Sequence, residues 1–165
     1  MENAFLQEVI AKLQEKYPSA QVVIDQFGMT NVTIDKGDLF SFVDELKNEM
    51  GFGFLTDICG AHYPYVKGSE FQVVYHLHNL VKNTRVRIKI NLSADKLSVP
   101  TLVNLYSGAN WMERETFDFY GIDFEGHPDL RRILNMDDMD YHPMRKEYAL
   151  EDETRDDKND SFFGR

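Results

Sequence analysis

Two runs, FQVVYHLHNL (71–80) and TRVRIKINL (84–92), decide the fold. In the first, Phe71, Val73, Tyr75 and Leu77 alternate with Gln72, Val74, His76 and His78. In the second, Val86, Ile88, Ile90 and Leu92 alternate with Arg85, Arg87, Lys89 and Asn91. Successive side chains of a strand point to opposite faces, so each run builds one apolar face and one wet face. Together they suit an antiparallel pair with water on one side. Upstream, residues 52–62 read as a further strand, and QVVID (21–25) and NVTID (31–35) as a β-branched hairpin turning at Gly28.

The apolar face of that sheet needs helices. Phe5, Leu6, Val9, Ile10, Leu13 and Tyr17 recur at spacings of three and four and end at Pro18. Leu39, Phe40, Phe42, Val43, Leu46 and Met50 do the same between a capping Asp38 and Gly51, which sits where a left-handed terminal cap belongs. Ser98 and Pro100 are expected to open a helix through Leu105, and a last helix runs from about residue 110 to Tyr120, closed by Gly121. The expected fold class is α+β: a mostly antiparallel sheet with helices packed on one face, followed by an extended C-terminal arm.

That arm begins where periodicity stops. Residues 1–121 read as the α+β domain, 122–150 as an extended partner-docking arm, and 151–165 as an acidic tail in which Phe162 and Phe163 form a small anchor. The arm still holds Phe124, Leu130, Ile133, Leu134, Met136, Met139, Tyr141, Met144 and Tyr148, too much apolar surface for a freely solvated tail. The expectation is that these side chains bury on something outside the chain, with folding back onto its own domain as the alternative. Arginines supply directional pairs with carboxylates, and Pro128 and Pro143 restrict the backbone and lower the entropy lost on docking.

Composition narrows the function classes. The 165 residues carry 18 Lys and Arg against 28 Asp and Glu, a net charge of −10 that opposes binding to nucleic acid or anionic lipid. One cysteine, Cys59, excludes an intrachain disulfide and cannot supply a four-thiolate cluster or a structural zinc site. The N-terminal stretch lacks the pattern of a signal peptide, and no run of residues is long and apolar enough to insert in a membrane.

The candidate chemistry is sparse. Glu113 and Glu115 stand two apart on one helix and point about 200° apart, so they cannot share a substrate. Arg114 and Asp118, at i and i+4, face each other and suit a surface pair or a partner's charges. His76 and His78 have a chelating spacing on one strand face but no evident third ligand, so a wet polar face explains them better. Cys59 with His62 is better read as an inert small hydrophobe near a histidine than as a thiolate and its base. Gly51, Gly53 and Gly60 form no phosphate-binding loop, and Arg85, Arg87 and Lys89 lack a stacking platform.

The arm carries a specific resemblance. WMERETFDFYGIDFEGHPDLRRIL (111–134) followed by YHPMRKEY (141–148) resembles the signature of the 30-kilodalton subunit, or C subunit, of respiratory NADH:quinone oxidoreductase, complex I. The upstream LTDICGAHYP (55–64) and the strand pair are also similar, so the resemblance covers roughly residues 5–150. Met139, Tyr141, Met144 and Ala149 stand where the family would have tryptophan, glycine, leucine and proline, which puts the detailed contacts of the arm's second half in doubt.

The resemblance implies a non-catalytic structural and assembly subunit in the hydrophilic arm of a proton-translocating complex, with no cofactor of its own. Flavin and iron–sulfur clusters belong to the other subunits. The partners implied are the large quinone-site subunit and the iron–sulfur subunits, with the chain held peripherally on the cytoplasmic side of the cell membrane. Because the sequence ends at Arg165, it is expected to be the form not fused to the quinone-site subunit.

The residues that would touch partners are Glu113, Arg114, Glu115, Asp118, Gly121, His127, Pro128, Asp129, Arg131, Arg132, His142, Pro143, Arg145 and Lys146. Two alternatives stay open. One is the equivalent subunit of a membrane-bound hydrogenase or ferredoxin-dependent complex, which the neighbouring subunits would decide. The other is a free-standing soluble enzyme using Cys59 or a histidine, which turnover by the isolated chain would reveal.

Overall fold

The structure is a computed structural model that describes residues 4–148. The expected acidic tail and its Phe162 and Phe163 lie outside the described residues. Helix α1 (Ala4–Lys16) leads into strands β1 (Gln21–Ile24) and β2 (Thr30–Thr33), then helix α2 (Leu39–Asn48). Strands β3 (Phe54–His62), β4 (Phe71–Asn79) and β5 (Thr84–Leu92) follow, then β6 (Ser98–Pro100), helix α3 (Ala109–Tyr120) and β7 (Asp123–Glu125).

The main sheet runs β1-β2-β5-β4-β3. The pairing is antiparallel except where β2 lies parallel to β5. Val73, Tyr75 and Leu77 pair with Ile90, Ile88 and Val86, and all six are buried. The alternation in the sequence is therefore the alternation between core and water. This apolar face shares one core with Leu6, Val9, Ile10 and Leu13 of α1 and with Leu39, Phe42, Val43 and Leu46 of α2. The ring of Tyr17 meets Phe42 edge-on, with centroids 5.3 Å apart. The other face carries Arg87, Lys89, His76 and Asp57.

Three local expectations are corrected. Asp38 stands at the start of α2 but its side chain makes no capping bond; its carbonyl accepts from the Phe42 N–H instead, at 2.9 Å. Residues 98–105 form no helix. Ser98–Pro100 pairs in parallel with Asp123–Glu125, after which the Leu105 and Tyr106 N–H groups close one turn on the Leu102 carbonyl. Burying Val99, Leu102 and Leu105 at a strand and a turn satisfies the same apolar spacing that a helix would. Finally, Ile122 and Phe124 belong to the core, both essentially unexposed, so packed structure runs past the boundary drawn at residue 121. Strand β7 carries them there, because pairing with β6 ties that segment to the domain.

Helix α3 lies against β3 at a close approach. A Cβ on Gly60 would fall 2.5 Å from the ring of Tyr120, so only glycine lets the aromatic ring seat on the sheet. That contact fixes the C-terminal end of α3, where the candidate site is built.

Candidate functional site

A helix ends with carbonyls that have no partner within it. At the end of α3 the segment that follows supplies them. The Asp118 carbonyl accepts from Arg132 Nη1 at 3.1 Å and from His142 Nδ1 at 2.9 Å. The Phe119 carbonyl accepts from the Met144 N–H at 3.1 Å, and that of Tyr120 from Arg145 Nε at 2.7 Å. Two guanidiniums thus sit at the negative end of the helix dipole, where cations are favoured. Gly121 permits this wrap: its φ is +71°, and a Cβ would meet both His142 and Arg145 at 2.6 Å.

The Asp118 side chain is the centre of the clasp. Its Oδ2 accepts from three successive backbone N–H groups, Ile133 at 3.1 Å, Leu134 at 2.8 Å and Asn135 at 2.9 Å. Its Oδ1 accepts from Arg132 Nη1 at 2.7 Å and from Asn135 Nδ2 at 3.0 Å. Burial alone would raise its pKa, but the Asn135 and Leu134 amides, Arg132 and the Asn135 side chain outweigh that and hold it well below the usual carboxylate range. Arg132 also donates to the carbonyls of Met139 (2.6 Å) and Tyr141 (2.9 Å), closing residues 132–141 into a loop. One turn earlier on α3, Arg114 donates to the carbonyls of Arg131 (3.1 Å) and Arg132 (2.8 Å) and stacks on Trp111. Arg114 and Asp118 therefore spend their bonds on the following segment and not on each other.

Glu113 works inward. Fully buried, it accepts from Thr101 Oγ1 at 2.5 Å and the Leu102 N–H at 2.7 Å, which holds the chain after β6 against α3. Burial pushes its carboxyl up to about 7, against the pull of those two donors. Glu115 is exposed on the opposite side, as the helix geometry requires.

The remaining predicted residues divide. His127 donates from Nε2 to the Asn110 carbonyl at 3.1 Å and accepts the Asp129 N–H at 3.0 Å, which braces Pro128. Asp129 and Arg131 are exposed and pair with each other at 2.9 Å. Lys146 is exposed, but its backbone N–H donates to His62 Nδ1 at 3.0 Å, next to the half-buried Pro143 and Arg145. Sequence reasoning missed Asn135 and Thr101, and weighed His62 only beside Cys59; all three are polar residues distant in sequence from their partners, with no periodic signal to join them.

Along the segment that follows α3, here called the strip, Phe124 is buried and Leu130, Ile133 and Met139 are half-buried, while five other apolar side chains stay outside. Leu134 is 65% exposed and Met136 68%, with Tyr141, Met144 and Tyr148 also open to solvent. Beside them Tyr63, Pro64, Tyr65 and Val66 line a cleft with Lys146 and Glu147.

Elsewhere the chemistry is quiet. Cys59 is exposed on β3, but desolvation by its neighbours and the nearby Asp57 push its thiol up to about 11, so it stays protonated at neutral pH and is a poor nucleophile. His76 accepts from Arg87 Nε at 2.8 Å, and His78 bonds Asn83 at 3.3 Å. Among the described residues no group of three or more His, Cys, Asp or Glu side chains is placed to hold a metal ion, and no helix is long and apolar enough to cross a membrane.

Known proteins are similar to this chain in sequence and in fold. The family described as respiratory-chain NADH dehydrogenase, 30 Kd subunit, matches residues 32–154. The NADH-quinone oxidoreductase C subunit of Geotalea uraniireducens is 36% identical over 148 residues, covering 89% of this chain and 90% of its own length. That of Moorella thermoacetica is 37% identical over 144 residues, covering 87% of this chain and 95% of its own length. Among solved structures, a trypsin-resistant fragment (1-134) of Nqo5 superposes with a TM-score of 0.69 at 30% identity, over 76% of this chain and 99% of the fragment. A chain of the membrane-bound sulfane sulfur reductase, an archaeal respiratory membrane complex, gives a TM-score of 0.74 at 26% identity, over 87% of this chain and 85% of its own. A chain matched over most of its length by the family and by these relatives belongs to the 30 Kd subunit family of respiratory-chain NADH dehydrogenase.

Proposed function

We propose that this chain is a structural, non-catalytic subunit of a proton-translocating NADH:quinone oxidoreductase, which docks its neighbours with the strip fastened by Asp118. The observation that carries this reading is the division of labour within the strip. Arg132, Arg145 and the backbone amides of Ile133, Leu134 and Asn135 are held by α3, while Leu134 and Met136 stand 65% and 68% exposed on a loop closed at both ends. A strip that only needed to cover its own domain would turn such side chains inward, and rigid exposed apolar groups favour association because little entropy is lost on binding.

The occupants of that surface are the quinone-site subunit and the iron–sulfur subunits. The chain itself carries no flavin and no iron–sulfur cluster, and it is held on the cytoplasmic side of the membrane through the complex. A deletion strain complemented with Leu134→Glu/Met136→Glu tests the reading. The purified variant keeps the parent's circular dichroism and melting temperature, while membrane NADH:quinone reductase activity drops by about tenfold or more, since a charge buried at an interface costs several kcal/mol. Parental activity at equal expression contradicts the docking role.

The likeness to the sulfane sulfur reductase chain favours a second reading, in which the same docking subunit serves a respiratory membrane complex with a different electron donor. Purification of the assembled complex separates the two: an NADH-oxidising flavoprotein among its subunits supports the first reading, and its absence the second.

A further inference from the structure

We infer that the closed loop of residues 132–141 binds an apolar pocket rimmed by lysine or arginine on a neighbouring protein subunit. This rests on the docking reading and specifies the chemistry of the partner.

Three exposed carboxylates, Asp137, Asp138 and Asp140, lie in this loop between and beside the exposed Met136 and Tyr141. None of the three is in an ion pair among the described residues, although cations lie close by in sequence. The nearby arginines are already used: Arg131 pairs with Asp129 at 2.9 Å, Arg132 with Asp118 at 2.7 Å, and Arg145 with Glu147 at 3.7 Å, and the exposed Lys146 pairs with none of the three among the described residues. The loop therefore presents an apolar centre with uncompensated negative charge around it.

The clasp holds this surface in one conformation. Asp118 fixes the loop's start through the amides of Ile133, Leu134 and Asn135, and Arg132 fixes its end through the carbonyls of Met139 and Tyr141. Little ordering remains for binding to impose. Interfaces place apolar groups at the centre and charges at the rim, and rim charges steer encounter when the facing potential has the opposite sign. A chain of net charge −10 attracts few acidic proteins, which leaves a basic-rimmed apolar pocket as the complement of Leu134, Met136 and Tyr141 surrounded by aspartates.

The test uses the full chain and membranes from a strain lacking it, with bound chain measured by sedimentation at about 0.05 M and 0.3 M salt. The parent binds more weakly at the higher salt. Asp137→Asn/Asp138→Asn/Asp140→Asn binds about tenfold more weakly at low salt and loses most of the salt dependence, and the corresponding triple lysine variant binds more weakly still. All these side chains are exposed, so melting temperatures stay at the parent's value.

Parental affinity and salt slope in the asparagine variant, with Leu134→Glu/Met136→Glu failing to bind, would overturn the basic rim while leaving the docking reading intact. If that glutamate variant also binds like the parent, the docking reading itself falls. Binding abolished by a chelator of divalent cations at constant ionic strength would assign the aspartates to a metal ion and overturn the inference. So would concentration-dependent dimerisation of the free chain that the asparagine variant removes.

Discussion

Asp118, on α3, is the side chain on which the strip's start converges. It receives five hydrogen bonds, from Ile133, Leu134, Asn135 (twice) and Arg132. Asp118→Asn keeps the shape but places an amide among donors and leaves the Arg132 guanidinium unpaired, so it should destabilise the chain by about 3–5 kcal/mol. Urea unfolding at neutral pH measures this. Because folding lowers the Asp118 pKa, its contribution is present above the ordinary carboxylate value and is lost as pH falls through the folded one.

Glu113 behaves oppositely. Folding raises its carboxyl from 4.5 to about 7, so across that interval the folded chain retains a proton that the unfolded chain releases. Its contribution is fully present below the lower value and declines as pH rises to the upper one. Glu113→Gln removes the titration. Between these pH values the stability difference, variant minus parent, should shift in the variant's favour by on the order of 1–3 kcal/mol. Urea midpoints at a series of pH values check the slope, and parallel curves would contradict it. At Gly121, alanine meets a left-handed backbone and two crowding side chains at once, and a loss of about 1–3 kcal/mol is expected by the same measurement.

At the scale of elements, what can be read in the sequence is what repeats. Strands β4 and β5 follow from strict alternation, α1 and α2 from three-four spacing, and the end of α3 from Gly121, which indeed adopts the left-handed conformation. Strands β6 and β7, three residues each, are too short to show a period, and their pairing joins segments that α3 separates. The apolar residues Val99 to Leu105 therefore mimic a helix. The strip stands out in the sequence as a unit of unusual composition, but its hold on α3 is not legible there. Asp118, Asn135, His142 and Arg145 carry no mutual spacing that would reveal a carboxylate reaching three amides across a turn.

This hold gives a prediction for the element as a whole. A chain ending at Gly126 keeps the main sheet and both strands of the small one, but leaves the last carbonyls of α3 without partners and Asp118 without its donors. It should fold and unfold at lower urea than a chain ending at Tyr148, with about 3 kcal/mol or more lost. Equal midpoints would mean that the clasp adds nothing to the domain's stability.

Over the whole molecule, the core lies between the helices and one face of the sheet, and the clasp lies at the end of that core where β3 finishes and β4 begins. His62 links the two through the Lys146 amide, and the Arg145 guanidinium lies 5.1 Å from the centre of the Phe71 ring. The strip is thus anchored both to a helix end and to the sheet, which makes it a rigid presentation surface and not a loose arm. A docking role requires that Met136 and its neighbours be covered in the assembled complex. Oxidation of methionine by dilute peroxide follows exposure, so its rate at Met136, read by mass spectrometry, measures that cover directly. In the free chain, where Met136 is 68% exposed, oxidation should be fast, and in intact membranes about tenfold or more slower. The same rate in both would show that the strip stays open in the complex and that docking does not run through it.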